Sequence, residues 1–336
     1  MTIRYGVLKC KVRGRRPATR ENAHYQVHAE AEGVHYRIAI NVKSQMRPFA
    51  LLYYTDEHFE HEVTSDLPEL AYGYTRLPNR PGGMALDYIR GNLFDRRRMV
   101  PLAFDVPGTD NDLNDKLDIY MRKAMEFEDA VLYAYGDIWG PELKQRDAVF
   151  GFMPGQGMHD IHMNQGNGGS YRRDNGVYQD GGLLLHFPSE ERWIAIFLAF
   201  QAQSWHTDDK TGDPLHEAAA YWHPAHPRPL AEHEIFIAGA LVLPASPTAC
   251  ETVTLLNASD RPIDIGGWSL ANKLKQKYKL EGVLAPGQFY TIELSVHPKF
   301  FRPWGDIITL LDERGLKVHG VSYIRAKVRS GWTIRF

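Results

Sequence analysis

The chain has 336 residues, 43% of them hydrophobic and 24% charged, with a formal net charge of −2; this is an ordinary globular composition whose length suggests two domains. The near-zero charge supplies no basic field, so nucleic acid as a partner finds no support in it. No apolar run approaches the ~20 residues of a spanning helix and none follows Met1, so neither a membrane span nor a signal peptide is expected; with Cys10 and Cys250 far apart, the expected setting is the reducing cytoplasm with both thiols free.

Tyr5 to Val12 alternates and predicts a strand ended by Gly14-Arg15-Arg16-Pro17. His24 to Ala31 and His35 to Val42 predict two more, turning at Gly33, with His24 and His28 on a solvated face. Leu51 begins another strand, and the stretch from Thr55 to Gly83, rich in acids, Pro and Gly, reads as loop. Leu86 to Arg90 suits a short helix, and Arg96-Arg97-Arg98 a solvated face. A helix is expected after Thr109, capped by Asp110 or Asn111, with Leu113, Leu117, Tyr120, Met121 and Ala124 as its apolar stripe. Asp110, Asp112 and Asp115 lack the glycine and terminal glutamate of a calcium loop, so capping is preferred to chelation. Ala130 to Gly136 predicts a buried strand broken at Gly140-Pro141, and Val149 to Phe152 reads as strand-like before the turn Pro154 to Gly157.

The densest concentration of reactive side chains follows. If Met158 to Asn164 is extended, Asp160, His162 and Asn164 share one face, a carboxylate, an imidazole and a carboxamide in line. These are ligand types for a divalent ion, or an acid/base pair with an amide to orient substrate. Asp180 stands before Gly181-Gly182, and His186 interrupts an apolar strand, as a core histidine bonded to a carbonyl or as a functional group. Trp193 to Phe200 has no polar face and predicts a central strand buried on both sides, running into Gln201, Gln203, Trp205, His206 and Asp208. No HExxH, P-loop, GxSxG or GxGxxG pattern is present, so spacing alone names no mechanism.

The site is therefore read as a metal-dependent hydrolase of phosphoesterase or nuclease type. Asp160, His162, His206 and Asp208 are the candidate metal ligands, and His162, His206 and Asp180 the candidate catalytic groups. Asn164, Gln165, Asn167 and Trp205 are the candidate substrate contacts, and a divalent metal ion is the cofactor. Two alternatives stay open: a non-enzymatic site for carbohydrate or peptide lined by Tyr171, Tyr178 and Trp205, and a polar network that only holds the fold. Lys210 to Glu234 is rich in His and Pro, and reads as an interdomain linker in preference to a His223–His226 ligand pair.

From Ile235 the pattern changes to short strands between turns, a β-sandwich signature. Glu251 to Asn257, Ile263 to Leu270, Leu284-Ala285-Pro286-Gly287, Gly305 to Asp312 and Val321-Ser322-Tyr323 resemble the lamin-tail domain, which implies an immunoglobulin-like sandwich acting in binding or localisation. Tyr5-Gly6-Val7-Leu8, Leu86 to Asn92, Asn111 to Asp115, His159 to Asn167, Gln179 to Gly182 and Ser204 to Asp209 resemble the YukJ-like family of unknown function (DUF2278), which implies no activity. The expected architecture is mainly β: an α+β domain over 1–230 with a mostly antiparallel sheet, then a sandwich over 231–336.

Overall fold

The computed structural model describes residues 5–19, 21–22, 24–42, 51–77, 83–84, 100–101, 107–159, 182–200, 234–295, 299–313, 315 and 317–336. The chain is mostly β, as its alternating patterns predict. β1 (Tyr5–Arg16), β2 (His24–Ala31) and β3 (Val34–Asn41) form an antiparallel meander. β1 does not stop at Gly14: its register with β2 shifts between Val12 and Gly14, and this bulge lets Arg15 and Arg16 go on pairing.

β4 (Leu51–Asp56) is followed by α1 (Val63–Asp66), a 3-10 turn over Leu67–Glu69 and β5 (Gly73–Arg76). The reading of this whole stretch as loop is therefore corrected. Its elements are three or four residues long, too short for a periodic signal, yet they bury Phe59, Val63, Leu67 and Leu77. β6 (Val100–Pro101) pairs with β4.

α2 (Leu113–Glu126) buries the stripe expected of it. Its cap is Asp112, not Asp110 or Asn111: the Asp112 carboxylate accepts from the Asp115 amide at 3.0 Å. Asp110 instead takes a left-handed φ of 59° and pairs with Lys116 at 2.8 Å, so it lies outside the first turn.

β7 (Val131–Glu142) runs through Gly140-Pro141 rather than breaking there: its register with β8 shifts between Trp139 and Glu142, and Glu142 still pairs with Gly155. Residues 148–150 form a turn, and the expected turn at Gly155 is instead β8 (Gly155–His159). β9 (Gly182–Phe187) and β10 (Arg192–Phe200) complete this part. β10 is central, between β9 and β4, with Ile194 to Leu198 all buried.

The strands before residue 201 form one ten-stranded sheet ordered β5-β1-β2-β3-β8-β7-β9-β10-β4-β6. An additional β1–β7 pairing closes β1, β2, β3, β8 and β7 into a ring, and the single parallel pairing, β3 with β8, is part of it. Strand alternation splits the core. One face, with Leu8, Val27, Ile38, Leu132 and Leu185, packs under α2, while the other, with Val7, Tyr133, Tyr135 and Phe197, is covered by residues 59–77.

From Ile235 the strands form separate sheets over a third core. β11 (Ile235–Leu241), β12 (Glu251–Asn257), β17 (Phe289–Leu294) and β20 (Ile334–Arg335) make one. β14 (Ser269–Ala271), β15 (Lys277–Lys279), β18 (Gly305–Leu311) and β19 (Lys317–Ile324) make the other. β13 (Ile263–Asp264) and β16 (Val283–Leu284) form a two-stranded ladder. Ile237, Val253 and Ile292 from the first sheet meet Leu270, Ile308 and Leu310 from the second, a two-layer packing. Among the described residues no helix is long and apolar enough to cross a membrane.

Candidate functional site

Asp160, His162, Asn164, Gln165, Asn167, Asp180, Trp205, His206 and Asp208 all lie outside the described residues, as do Tyr171, Tyr178 and the His223–His226 pair. The strands on either side of them are described, and their register fixes where those segments leave and rejoin the sheet. His159, the last residue of β8, is paired with Asp137, and Gly182, the first of β9, is paired with Tyr135. Both pairings use the same edge of β7. The segment 160–181 therefore departs and returns around one residue, Gly136.

The next strand brings the second segment to the same end. Gly182 also pairs with Phe197 of β10, and β10 continues three residues to Phe200, opposite Leu51. Three residues of strand are about 10 Å. Residues 201 onward thus begin on the strand beside the one that 160–181 rejoins. Gly182 is required at this junction: a Cβ there would lie 2.7 Å from the Phe197 ring and 2.8 Å from the Ile196 carbonyl oxygen.

Asp137 is the described group that singles out this junction. It sits on β7, half-buried and paired in register with both Tyr5 and His159. Its Oδ1 is buried and, among the described residues, has no hydrogen-bond partner. A buried carboxylate oxygen left unpaired is costly unless a proton donor or a cation meets it. The strand expected over Ala130 to Gly136 stops short of Asp137, which β7 includes. The available signal was a lone carboxylate in the run Val131 to Trp139.

A second polar cluster gathers on β2, β3 and the turn after Asp147, reaching Trp139 of β7. His28 is half-buried rather than fully solvated: its ring stacks with Phe150 and Phe152, at 5.1 and 5.4 Å between centroids, and its Nε2 lies 3.0 Å from His35 Nδ1. Arg37, on the same hairpin, donates from Nε to Asp147 at 2.5 Å and covers the Trp139 ring. Burial, then the neighbouring His35 and Arg13, hold the His28 imidazole below its ordinary pKa, against the pull of Asp147 and Glu30.

The folded protein accordingly binds fewer protons here than the unfolded chain, so stability falls as pH drops through the ordinary imidazole range. Thermal melts should show wild type losing stability between about pH 7 and about pH 5. His28→Phe, which preserves the stack and removes the titration, should flatten that loss; an unchanged slope would rule out His28 as its source.

His186 stacks on Trp193, with centroids 4.1 Å apart and planes within 8°, and Trp193 stacks in turn on Tyr133. Burial lowers its pKa, with Asp129 opposing. Aromatic stacking, rather than a carbonyl bond, is what holds it among the described residues. Those residues also contain no group of three or more His, Cys, Asp or Glu placed to hold a metal ion. Cys10 and Cys250 are both free, Cys10 in the core with its thiol pushed up by burial.

Comparison with known proteins agrees with the organisation of the strands. Residues 1–212 match the family described as "Uncharacterized conserved protein (DUF2278)". The chain is 44% identical over 217 residues to "Uncharacterized protein YukJ" of Bacillus subtilis (strain 168), an alignment covering 63% of this chain and 94% of the relative. So little of that relative is left over that it has no room for a counterpart of the sheets from Ile235 onward.

Proposed function

The chain belongs to the DUF2278 family, and because that description carries no activity we propose its function from the chemistry of the junction between β8, β7, β9 and β10. The proposal is a metal-dependent hydrolase of phosphoesterase or nuclease type acting in the cytoplasm, a setting that its two free thiols fit. Asp160, His162 and His206, with Asp180 or Asp208, would hold a divalent ion, which supplies a water of lowered pKa. Asn164, Gln165, Asn167 and Trp205 would position substrate, and the polar side chains would orient it without themselves reacting. The C-terminal sheets would be a lamin-tail-like module with an accessory binding role.

The observation that supports this reading is Asp137. Its unpaired, buried carboxylate oxygen stands on β7 at the residues where the two motif-bearing segments join adjacent strands. A carboxylate so placed adds negative charge where a cation is proposed, either as a further ligand or by orienting an imidazole.

Elemental analysis of the purified full-length protein tests the proposal. Wild type should carry one divalent ion per chain, and His162→Ala and His206→Ala should each lose it while keeping wild-type circular dichroism. Asp137→Asn should weaken metal affinity by about 10-fold or more, the effect of removing a group that orients a ligand. Hydrolysis of a phosphodiester substrate should fall with metal content across the three variants. Wild type that holds no zinc, manganese or calcium after incubation would defeat the proposal, and binding to a glycan or peptide array would then favour the non-enzymatic reading.

A further inference from the structure

Among the described residues, charged side chains link the ten-stranded sheet to the C-terminal sheets. Glu62, just before α1, has a side chain only 5% exposed, and its partners come from the far end of the sequence. Lys273 Nζ lies 2.8 Å from Glu62 Oε1, and Arg302 donates to the same oxygen. Lys273 also approaches Asp66 at 3.9 Å, and Lys327 pairs with Glu60. The Gly305 backbone lies directly against the Glu62 side chain. A Cβ at Gly305 would lie 2.8 Å from Glu62 Cγ.

The basic side of this contact is built in advance. Asp306 accepts from the Lys273 amide at 2.9 Å and from the Arg302 amide at 3.0 Å, and Tyr323 donates to the Arg302 carbonyl at 2.9 Å. These bonds lie wholly within the C-terminal sheets, so the two cations are presented together whether or not Glu62 is present.

Among the described residues no hydrophobic cluster spans this contact. The three hydrophobic clusters among the described residues each belong to one side: two to strands and helices before residue 201, one to residues from Ile235 on. Among the described residues Glu62 Oε2 and Arg302 Nε are buried without hydrogen-bond partners, Arg302 Nε lying 3.8 Å from Asp306 Oδ2. Burying charges is costly, and an interface without a hydrophobic core leaves two units free to move unless something else ties them.

We infer that Glu60, Glu62 and Asp66 form a docking surface for the basic edge Lys273, Arg302 and Lys327 of the C-terminal sheets, and that this pairing is an electrostatic latch that opens when the charges are screened or removed. Opening returns a carboxylate and two cations to water, so the buried unpaired atoms favour it. Coulomb attraction opposes it, and salt weakens that attraction in the approach of the two surfaces.

Small-angle scattering on the full-length chain tests the latch. From about 0.01 M to about 1 M NaCl the screening length falls from about 30 Å to about 3 Å, and the radius of gyration of wild type should shift upward over that range. Glu62→Lys should already have the larger radius at low salt and lose the salt dependence. Adding Lys273→Glu to Glu62→Lys should recover part of the compaction, which a merely destabilised fold would not do. Circular dichroism establishes that each variant is folded; if Glu62→Lys is not, the wild-type salt series alone decides. A wild-type radius independent of salt, and unchanged by Glu62→Lys, overturns the latch.

Discussion

Gly157→Ala should destabilise the protein by about 3 kcal/mol, at the upper end of the cost of overpacking, and should open the ring of strands. Gly157 lies on β8 where it runs parallel to β3, in register with Arg37. A Cβ built there falls inside the van der Waals sphere of the Arg37 carbonyl oxygen and 2.8 Å from its carbonyl carbon. Both are backbone atoms, so no rotamer change can make room. The strands would have to separate, and the β3–β8 pairing is one of the links the ring of β1, β2, β3, β8 and β7 depends on.

Gly33→Ala is the control. Gly33 has φ +80°, but nothing lies within 4 Å of its Cβ position, so only the left-handed penalty of about 1–2 kcal/mol applies. Denaturant midpoints should rank wild type above Gly33→Ala above Gly157→Ala. Equal midpoints for the two variants would show that the β3–β8 approach is not tight.

Asp147→Ala should cost about 3 kcal/mol, near the lower end for breaking a buried pair by removing one partner. The Asp147 side chain is fully buried and that of Arg37 is 19% exposed. Its carboxylate accepts from Arg37 Nε, from the Val149 amide at 3.0 Å and from the Phe150 amide at 2.7 Å. One residue therefore neutralises a cation on β3 and shapes the turn that carries Phe150 and Phe152 onto His28. Asp147→Asn retains an acceptor for the two amides and loses the charge, so its cost should be smaller, about 1–2 kcal/mol. In Arg37→Met/Asp147→Asn no charge is left stranded and the two amides keep their acceptor, so stability should return toward wild type. A double variant as unstable as the sum of the singles would show that the two side chains do not act as a pair.

Local patterns are legible in the sequence because alternation and the 3.6-residue period are set by each segment's own burial. β2, β3, β10 and α2 follow from such patterns, and so does the change of rhythm at Ile235. The motif-rich stretches were also legible as chemistry, since residue types alone bring carboxylates, imidazoles and carboxamides together in 160–167 and 201–209. What they do there remains the proposal that the metal analysis tests.

Tertiary structure decided the rest. The Thr55–Gly83 stretch holds short elements whose apolar residues have no period, because they pack on a face of the sheet rather than forming a face of their own. β7 passes through Gly140-Pro141 because pairing with β8 supplies the support that its sequence lacks. Asp137 gained meaning only from its cross-strand partners, and Glu62 only from cations more than 200 residues away. The sequence determined which segments could be strands or helix, since each segment carries its own burial pattern. Register, ring closure and the burial of single charges depend on which distant residues meet, and only the folded chain brings those together.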